Sequence, residues 1–222
     1  LCGVWTNGSA SSLTMENIQI EGTSMAGVWT NGSASSLVDV TINNVTGVPG
    51  VMDGTGGWGV VIRDENTFVS GLEVSGTKRM GLYLGALVAN VSDITISDVE
   101  PSTASQHGRG IHIGGTHDDI HNIALSNVLV QNVSDAGIFI HNVSNVALED
   151  ITIRNVSPVS LGTDVYDALT SSTGDGMVIV QRRYDDEHCE AEDVDVTLTG
   201  SNAFTSIGRA AIIIDCRWYY IN

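Results

Sequence analysis

The eleven residues Gly3-Val4-Trp5-Thr6-Asn7-Gly8-Ser9-Ala10-Ser11-Ser12-Leu13 return letter for letter at Gly27 to Leu37, an offset of 24 residues. A segment this short cannot bury its own apolar face. A copy further down the chain therefore points to units that become stable by stacking on one another. Looser copies of the opening tetrad occur as Gly59-Val60-Val61-Ile62, Gly81-Leu82-Tyr83-Leu84, Gly110-Ile111-His112-Ile113, Gly137-Ile138-Phe139-Ile140, Gly176-Met177-Val178-Ile179 and Ala211-Ile212-Ile213-Ile214. Successive tetrads start 24, 32, 22, 29, 27, 39 and 35 residues apart.

A second strand is expected after each tetrad, marked by two apolar residues spaced by two: Ile18/Ile20, Val40/Ile42, Leu72/Val74, Ile94/Ile96, Ile123/Leu125, Ile151/Ile153 and Val194/Val196. Period-two alternation sets each pair on one face of its strand. Hairpin dipeptides between the strands are not the pattern, which argues against a propeller or an antiparallel sandwich. Asn17, Asn43, Asn90, Asn122 and Asn145 fall beside the second strands, where Asn can take a left-handed corner conformation and ladder with its neighbours. The tetrad glycines are expected to serve as corners too. The fold read from this is all-β: a right-handed, single-stranded parallel β-helix, a solenoid of about eight coils. It spans residues 1–222 as one domain, with inserts at 47–58, 100–109 and 157–175. Because the chain starts and stops in mid-repeat, it is expected to be a segment of a longer one.

Through the run Asn90-Val91-Ser92-Asp93-Ile94-Thr95-Ile96 and the Gly-Ile-Xaa-Ile tetrads, the chain resembles the pectin-lyase-like superfamily of right-handed parallel β-helices. The resemblance covers nearly the whole chain and implies a fold rather than an activity, since that superfamily includes polysaccharide lyases, glycoside hydrolases, phage tailspikes, adhesins and structural surface proteins. Its hydrolases present Asn-Thr-Asp, Asp-Asp, Gly-His-Gly and Arg-Ile-Lys on successive coils, and its pectate lyases use stacked calcium-binding aspartates with a catalytic arginine. Here Asp118-Asp119 stands alone, His107-Gly108 lacks the preceding glycine, and Arg-Ile-Lys is absent. No complete catalytic set carries over.

The charge narrows the partners. With 26 acidic residues against nine basic ones the net charge is −17, which disfavours nucleic acid, whose phosphates need cationic compensation. No apolar run is long enough for a membrane span. The acidic balance favours cations or basic partners. The plainer reading of the charge is a well-solvated acidic exterior; no cofactor is required, and calcium is the expected cation if one binds.

If the second and fourth tetrad residues point inward, the third residues form an outward ladder of Trp5, Trp29, Val61, Tyr83, His112, Phe139, Val178 and Ile213. An exposed ladder so poor in polar groups is expected to be covered, by the chain's own inserts or by a neighbouring protein, or to stack sugar rings. Trp5, Trp29, Tyr83, His112 and Phe139 are its candidate binding residues.

Two polar clusters stand out. His107, Arg109, His112, His117, Asp118, Asp119 and His121 combine imidazoles with paired carboxylates, a mixture suited to acid–base chemistry or a divalent metal. Asp118, Asp119, His117 and Arg109 are the catalytic candidates, and a solvated polar turn is the plainer reading. In the seventh coil the acidic run from Arg182 to Asp195 offers Asp185, Asp186, Glu187 and Glu190 as calcium ligands, against a plain solvated loop. Cys189 and Cys216 lie on successive coils and could pair in an oxidising compartment, leaving Cys2 free or bonded to sequence outside this segment. Seven Asn-Xaa-Ser/Thr sequons occur, at Asn7, Asn31, Asn44, Asn90, Asn132, Asn142 and Asn155, of which Asn7 and Asn31 at turns are the expected glycosylation sites.

These features point to an extracellular, non-catalytic module of a cell-surface or filamentous assembly, with protein neighbours or further copies as partners. A duplicated coil spreads the same chemistry along a rod, whereas an active site needs one unique constellation. The alternatives are a secreted polysaccharide lyase or glycoside hydrolase, and a carbohydrate-binding adhesin.

Overall fold

The structure, a computed structural model, describes residues 2–8, 11–48, 56–101, 108–114, 122–159, 174–183 and 195–218, with backbone alone for 181–183 and 215–218. Among them every regular element is a strand. In chain order these are β1 (Val4–Trp5), β2 (Ser12–Glu21), β3 (Ala26–Thr30), β4 (Ala34–Val45), β5 (Trp58–Ile62) and β6 (Asn66–Thr77). Next come β7 (Met80–Leu84), β8 (Val88–Val99), β9 (Arg109–Gly114), β10 (Asn122–Val133) and β11 (Ala136–His141). The last are β12 (Val146–Val156), β13 (Asp175–Arg183), β14 (Val196–Thr199), β15 (Ala203–Ile207) and β16 (Ile212–Trp218).

Strands alternate between two all-parallel sheets. One runs β1-β3-β5-β7-β9-β11-β13-β16, and the other runs β2-β4-β6-β8-β10-β12-β14, with β15 also paired to β12. The chain is thus a parallel β-helix of about eight rungs, at ~4.8 Å per rung. Val60 opposes Leu82 and Leu82 opposes Ile111, so like positions of the tetrads form columns along the rod.

The second strand is longer than the apolar pairs alone suggest, because each copy carries two inward stretches. In β4, Ser35 and Leu37 face in, Asp39 is left-handed, Val40 and Ile42 face in, Asn44 is left-handed, and Val45 faces in again. Each left-handed residue shifts the alternation by one and bends the strand, as a bulge does. The pair expected at Ile123/Leu125 and Val196 of the last pair belong to the first of these stretches, and Val194 lies outside the described residues. Val128 and Val130 hold the column of Ile94 and Ile96, Phe204 opposes Ile153, and Val196 opposes Val146.

The corners also differ from expectation. Asn17 and Asn145 are left-handed, but Asn43, Asn90 and Asn122 are not. One corner column is Asn17, Asp39, Gly71, Asp93, Asn127, Asp150 and Gly200, and the other is Gly22, Asn44, Gly76, Asp98, Asn132, Asn155 and Ser206, all at positive φ. Asn and Asp tolerate this conformation because their short side chains bond locally. In the first column no two carboxylates occupy adjacent rungs. Asn127 donates to Asp93 at 2.7 Å, and Gly71 leaves open the space that the Asp39 carboxylate occupies. In the second column Asn132 donates to Asp98 at 3.0 Å and Asn155 to Asn132 at 3.1 Å.

The tetrad glycines are not corners. None has a positive φ; instead a Cβ on each would run into a side chain of the other sheet and a backbone carbonyl of the next rung. A Cβ at Gly27 would sit 3.0 Å from Ile42 Cδ1 and 2.8 Å from the Gly59 carbonyl, and one at Gly81 would sit 2.7 Å from the Gly110 carbonyl and closer still to Ile96. The inward residue just before the second left-handed corner, Ile42 in β4 and Ile96 in β8, therefore fills a notch opened by a glycine of the first strand. Around it lies one continuous core of aliphatic side chains, among them Leu37, Ile42, Leu72, Leu82, Ile96, Ile111, Leu125 and Ile153. Each such side chain contributes about 1.5–3 kcal/mol on burial.

Candidate functional site

The outward ladder exists in full. Cross-strand pairing joins Trp5 to Trp29, Trp29 to Val61, Val61 to Tyr83, Tyr83 to His112, His112 to Phe139, Phe139 to Val178 and Val178 to Ile213. Parallel in-register pairing repeats each side chain's direction on the next rung, so the rings stack along the rod axis. Trp5 and Trp29 lie 5.5 Å apart at 14°, and Trp29 and Trp58 lie 4.9 Å apart at 22°. Where the column narrows to Val61, the Arg63 guanidinium bridges the gap, 5.4 Å from the Trp29 ring and 5.5 Å from Tyr83. Arg79 lies over Trp58 at 5.2 Å.

This orientation decides what the ladder can do. A sugar ring stacks on an aromatic face, and the faces of Trp29 are taken by Trp5 on one side and by Trp58 and Arg63 on the other. Trp5, on the first rung, is 52% exposed, whereas Trp29 and Tyr83 are half-buried. His112 and Phe139 are buried, as are Val61 and Val178. Phe139, Val178, Ala136 and Val180 form a small apolar cluster apart from the main core, so this part of the ladder is covered within the chain itself.

Trp58 belongs to the stack although it does not occupy a ladder position: it opposes Ala26, at the entry to the strand. The sequence signal was an aromatic residue immediately before a tetrad glycine; strict alternation from Val60 would turn it inward, and the stack on Trp29 shows that the alternation breaks at Gly59.

Arg109 sits within this covered region. Its guanidinium donates to Asp135 at 2.9 Å, lies 3.6 Å over the Phe139 ring and reaches Nδ1 of His112 at 3.4 Å. A guanidinium can only donate, so in this contact Nδ1 of His112 is the acceptor. His112 packs edge-on against Tyr83, Phe139 and His141, with ring centroids 5.1, 5.1 and 4.9 Å away. Gly114 makes the room: a Cβ there would meet Nε2 of both His112 and His141. A second ion pair lies further along the rod. Arg209 donates to Asp175 at 2.8 Å, and those hydrogen bonds raise the guanidinium pKa above its ordinary value. Of the two pairs only Arg109–Asp135 is buried on both sides; Arg209 is exposed and its partner Asp175 is buried.

A second buried polar group lies at the corner between β3 and β4. The Asp64 carboxylate accepts the Thr30 hydroxyl at 2.7 Å, the Gly32 N–H at 2.6 Å and the Ser35 hydroxyl. Sequence reasoning passed over Asp64, whose one available signal was an acid four residues after a tetrad valine. Cys2 is half-buried, and burial raises its thiol pKa.

Several expected site residues lie outside the described residues: His117, Asp118 and Asp119, the calcium candidates Asp185, Asp186, Glu187 and Glu190, and Cys189. The side chain of Cys216 does too. Among the described residues no three His, Cys, Asp or Glu side chains gather as a metal site, and no helix is long and apolar enough to cross a membrane.

No protein-family model, curated protein or solved structure matches the chain.

Proposed function

We propose that the chain is a right-handed β-helix of the pectin-lyase-like kind that serves outside the cell as a non-catalytic structural or adhesive module, set among protein neighbours or further copies in a surface or filamentous assembly. One observation carries this reading: the aromatic ladder spends its faces on itself. Trp29 is sandwiched, Val61 is bridged by Arg63, and His112 and Phe139 are buried, so the residues best suited to holding a sugar brace one rung against the next. Arg109, the arginine a lyase would need free, is bound to Asp135 beneath the surface. With a charge of −17, association between such rods calls for salt, a cation or a basic partner to offset repulsion.

The test is sedimentation and electron microscopy of the purified chain at rising salt and calcium, beside a glycan-binding and glycan-turnover panel. Self-association that strengthens with ionic strength and is weakened by Trp5→Ala supports the module. Calcium-dependent glycan cleavage lost in Asp119→Ala sinks it in favour of a secreted enzyme. Glycan affinity lost in Trp29→Ala, with folding intact, sinks it in favour of an adhesin.

A further inference from the structure

We infer that Asn90 is the acceptor of an N-linked glycan whose first sugar packs on Phe68. The inference rests on the extracellular reading above and moves the acceptor from Asn7 and Asn31, which the sequence favoured as turn positions, to Asn90.

Most sequon asparagines already use their amide nitrogen between rungs. Asn31 donates from Nδ2 to Asn7 at 3.0 Å, Asn44 to Glu21 at 3.3 Å, Asn132 to Asp98 at 3.0 Å and Asn155 to Asn132 at 3.1 Å. The last three are also left-handed corner residues. A glycan on any of these nitrogens would stand where the preceding rung's side chain lies. Asn142 is half-buried and left-handed.

Asn90 differs on each count. It lies within β8 with no positive φ, is exposed, and points away from the core between the buried Ala89 and Val91. The sequon hydroxyl, Ser92, is half-buried and donates to Ser70 at 3.2 Å. In the register Asn90 stands between Phe68 on one rung and Ala124 on the next, and the column continues through Ser36 on one side and Ala147 on the other. The floor around it is therefore small side chains.

Phe68 supplies the independent observation. It is 49% exposed on the outer face of β6, directly opposite Asn90 and one rung away. Neighbouring strands are ~4.8 Å apart, so a sugar attached to the Asn90 amide reaches the Phe68 ring with its C–H face. Val88, a further exposed apolar side chain, lies two residues from Asn90 on the same face.

In the transfer, Nδ2 of Asn90 forms a bond to the anomeric carbon of a sugar carried on a polyisoprenyl pyrophosphate. The bond from that carbon to the pyrophosphate oxygen breaks, and the pyrophosphate leaves with the electron pair. The amide gives one proton to a base of the transferase and keeps the other.

The 222-residue chain, secreted from a glycosylating eukaryotic host behind an added signal peptide, is digested with a glycan-releasing amidase that converts each occupied Asn to Asp, and its peptides are mapped by mass. Asn90 occupied in most molecules, with Asn44, Asn132 and Asn155 bare, is the expected result. Asn90 bare in the secreted protein overturns it, whatever the other sequons carry. A second measurement trims the glycan to one sugar. The trimmed protein should melt about 2 °C or more above Asn90→Gln, and that gap should close in a Phe68→Ser background. No gap in either background overturns the packing on Phe68. Because secretion is imposed by the host, a bare Asn90 leaves the proposed function standing. Localising the native protein inside its own cells would remove that function without touching the acceptor result.

Discussion

Leu13 lies opposite Ser35, two residues short of its own copy at Leu37. The identical segments stack in register through Val4 on Val28 and Trp5 on Trp29, then slip. The residues beyond Leu13 and Leu37 impose the slip: Met15, left-handed Asn17, Ile18 and Ile20 match Leu37, left-handed Asp39, Val40 and Ile42 at an offset of two fewer residues. Stacking copy on copy would set Met15 against Asp39 and Asn17 against Thr41. Met15 is thus a core residue and Leu13 a half-buried one. Met15→Ala should cost about 2 kcal/mol and Leu13→Ala about 1 kcal/mol in urea unfolding. The reverse order would mean that the copies stack in full register.

Asp64 gathers three donors in a buried corner, and removing it leaves two hydroxyls and a backbone N–H without their acceptor. Asp64→Ala should cost about 3 kcal/mol and lower the melting temperature, with Asp64→Asn milder. A loss within about 0.5 kcal/mol would show that water replaces the carboxylate at no cost.

The Arg109–Asp135 pair should behave as a buried pair does. Asp135→Ala strands the guanidinium and should cost about 3–5 kcal/mol, while Arg109→Met combined with Asp135→Leu should recover most of the loss. A double-mutant cycle measures the coupling, and additive losses would show that the pair is not a unit.

Asp93 reads out the corner ladder. The hydrogen bond from Asn127, aided by the Ser92 and Ser70 hydroxyls, holds its carboxyl pKa below the ordinary value. A depressed folded-state pKa gives stability that is present above the unfolded carboxylate pKa and is lost as pH falls through the folded one. Asn127→Ala should move the Asp93 titration upward, towards the ordinary carboxylate value, when tracked by carboxyl-carbon NMR. An unmoved titration would assign the depression to the hydroxyls alone.

Gly81 fills no space and must not. Gly81→Ala places a methyl group against Ile96 and the Gly110 carbonyl, and should destabilise by about 1–3 kcal/mol or more despite the better strand propensity of Ala. Pairing it with Ile96→Ala, which removes the Cγ2 carbon that the new methyl group meets, should give a combined loss in thermal unfolding smaller than the sum of the two single losses, and additive losses would place the strain in the backbone instead.

Much of this was legible in the sequence. The tetrads, the columns they form and the order of the outward ladder emerge from period-two alternation once the repeat is seen. The slip was also there to read, since Trp5 and Trp29 are 24 residues apart but Ile20 and Ile42 only 22. The corners were harder. Asn43 and Asn44 are adjacent, and only the alternation of Ile42 and Val45 across them assigns the left-handed position to Asn44. The role of the tetrad glycines was hidden, because a corner and a close approach both call for a missing side chain and only the distance to Ile96 or Ile42 distinguishes them. The ladder's closure upon itself depends on Trp58 and Arg63, which come from neighbouring positions of the coil and carry no period of their own.

The corner column running Asn17, Asp39, Gly71, Asp93, Asn127, Asp150 and Gly200 limits how an array of this kind can lengthen. A coil duplicated in tandem inherits the corner of its parent, so copying any aspartate-bearing rung next to itself would bring two negative groups to the spacing of one rung, ~4.8 Å. Growth by duplication is therefore easiest where the corner is glycine or asparagine. Elsewhere each new coil must exchange its corner residue before it fits, a drift that erases the likeness between neighbours and leaves only the most recent or least charged copies recognisable.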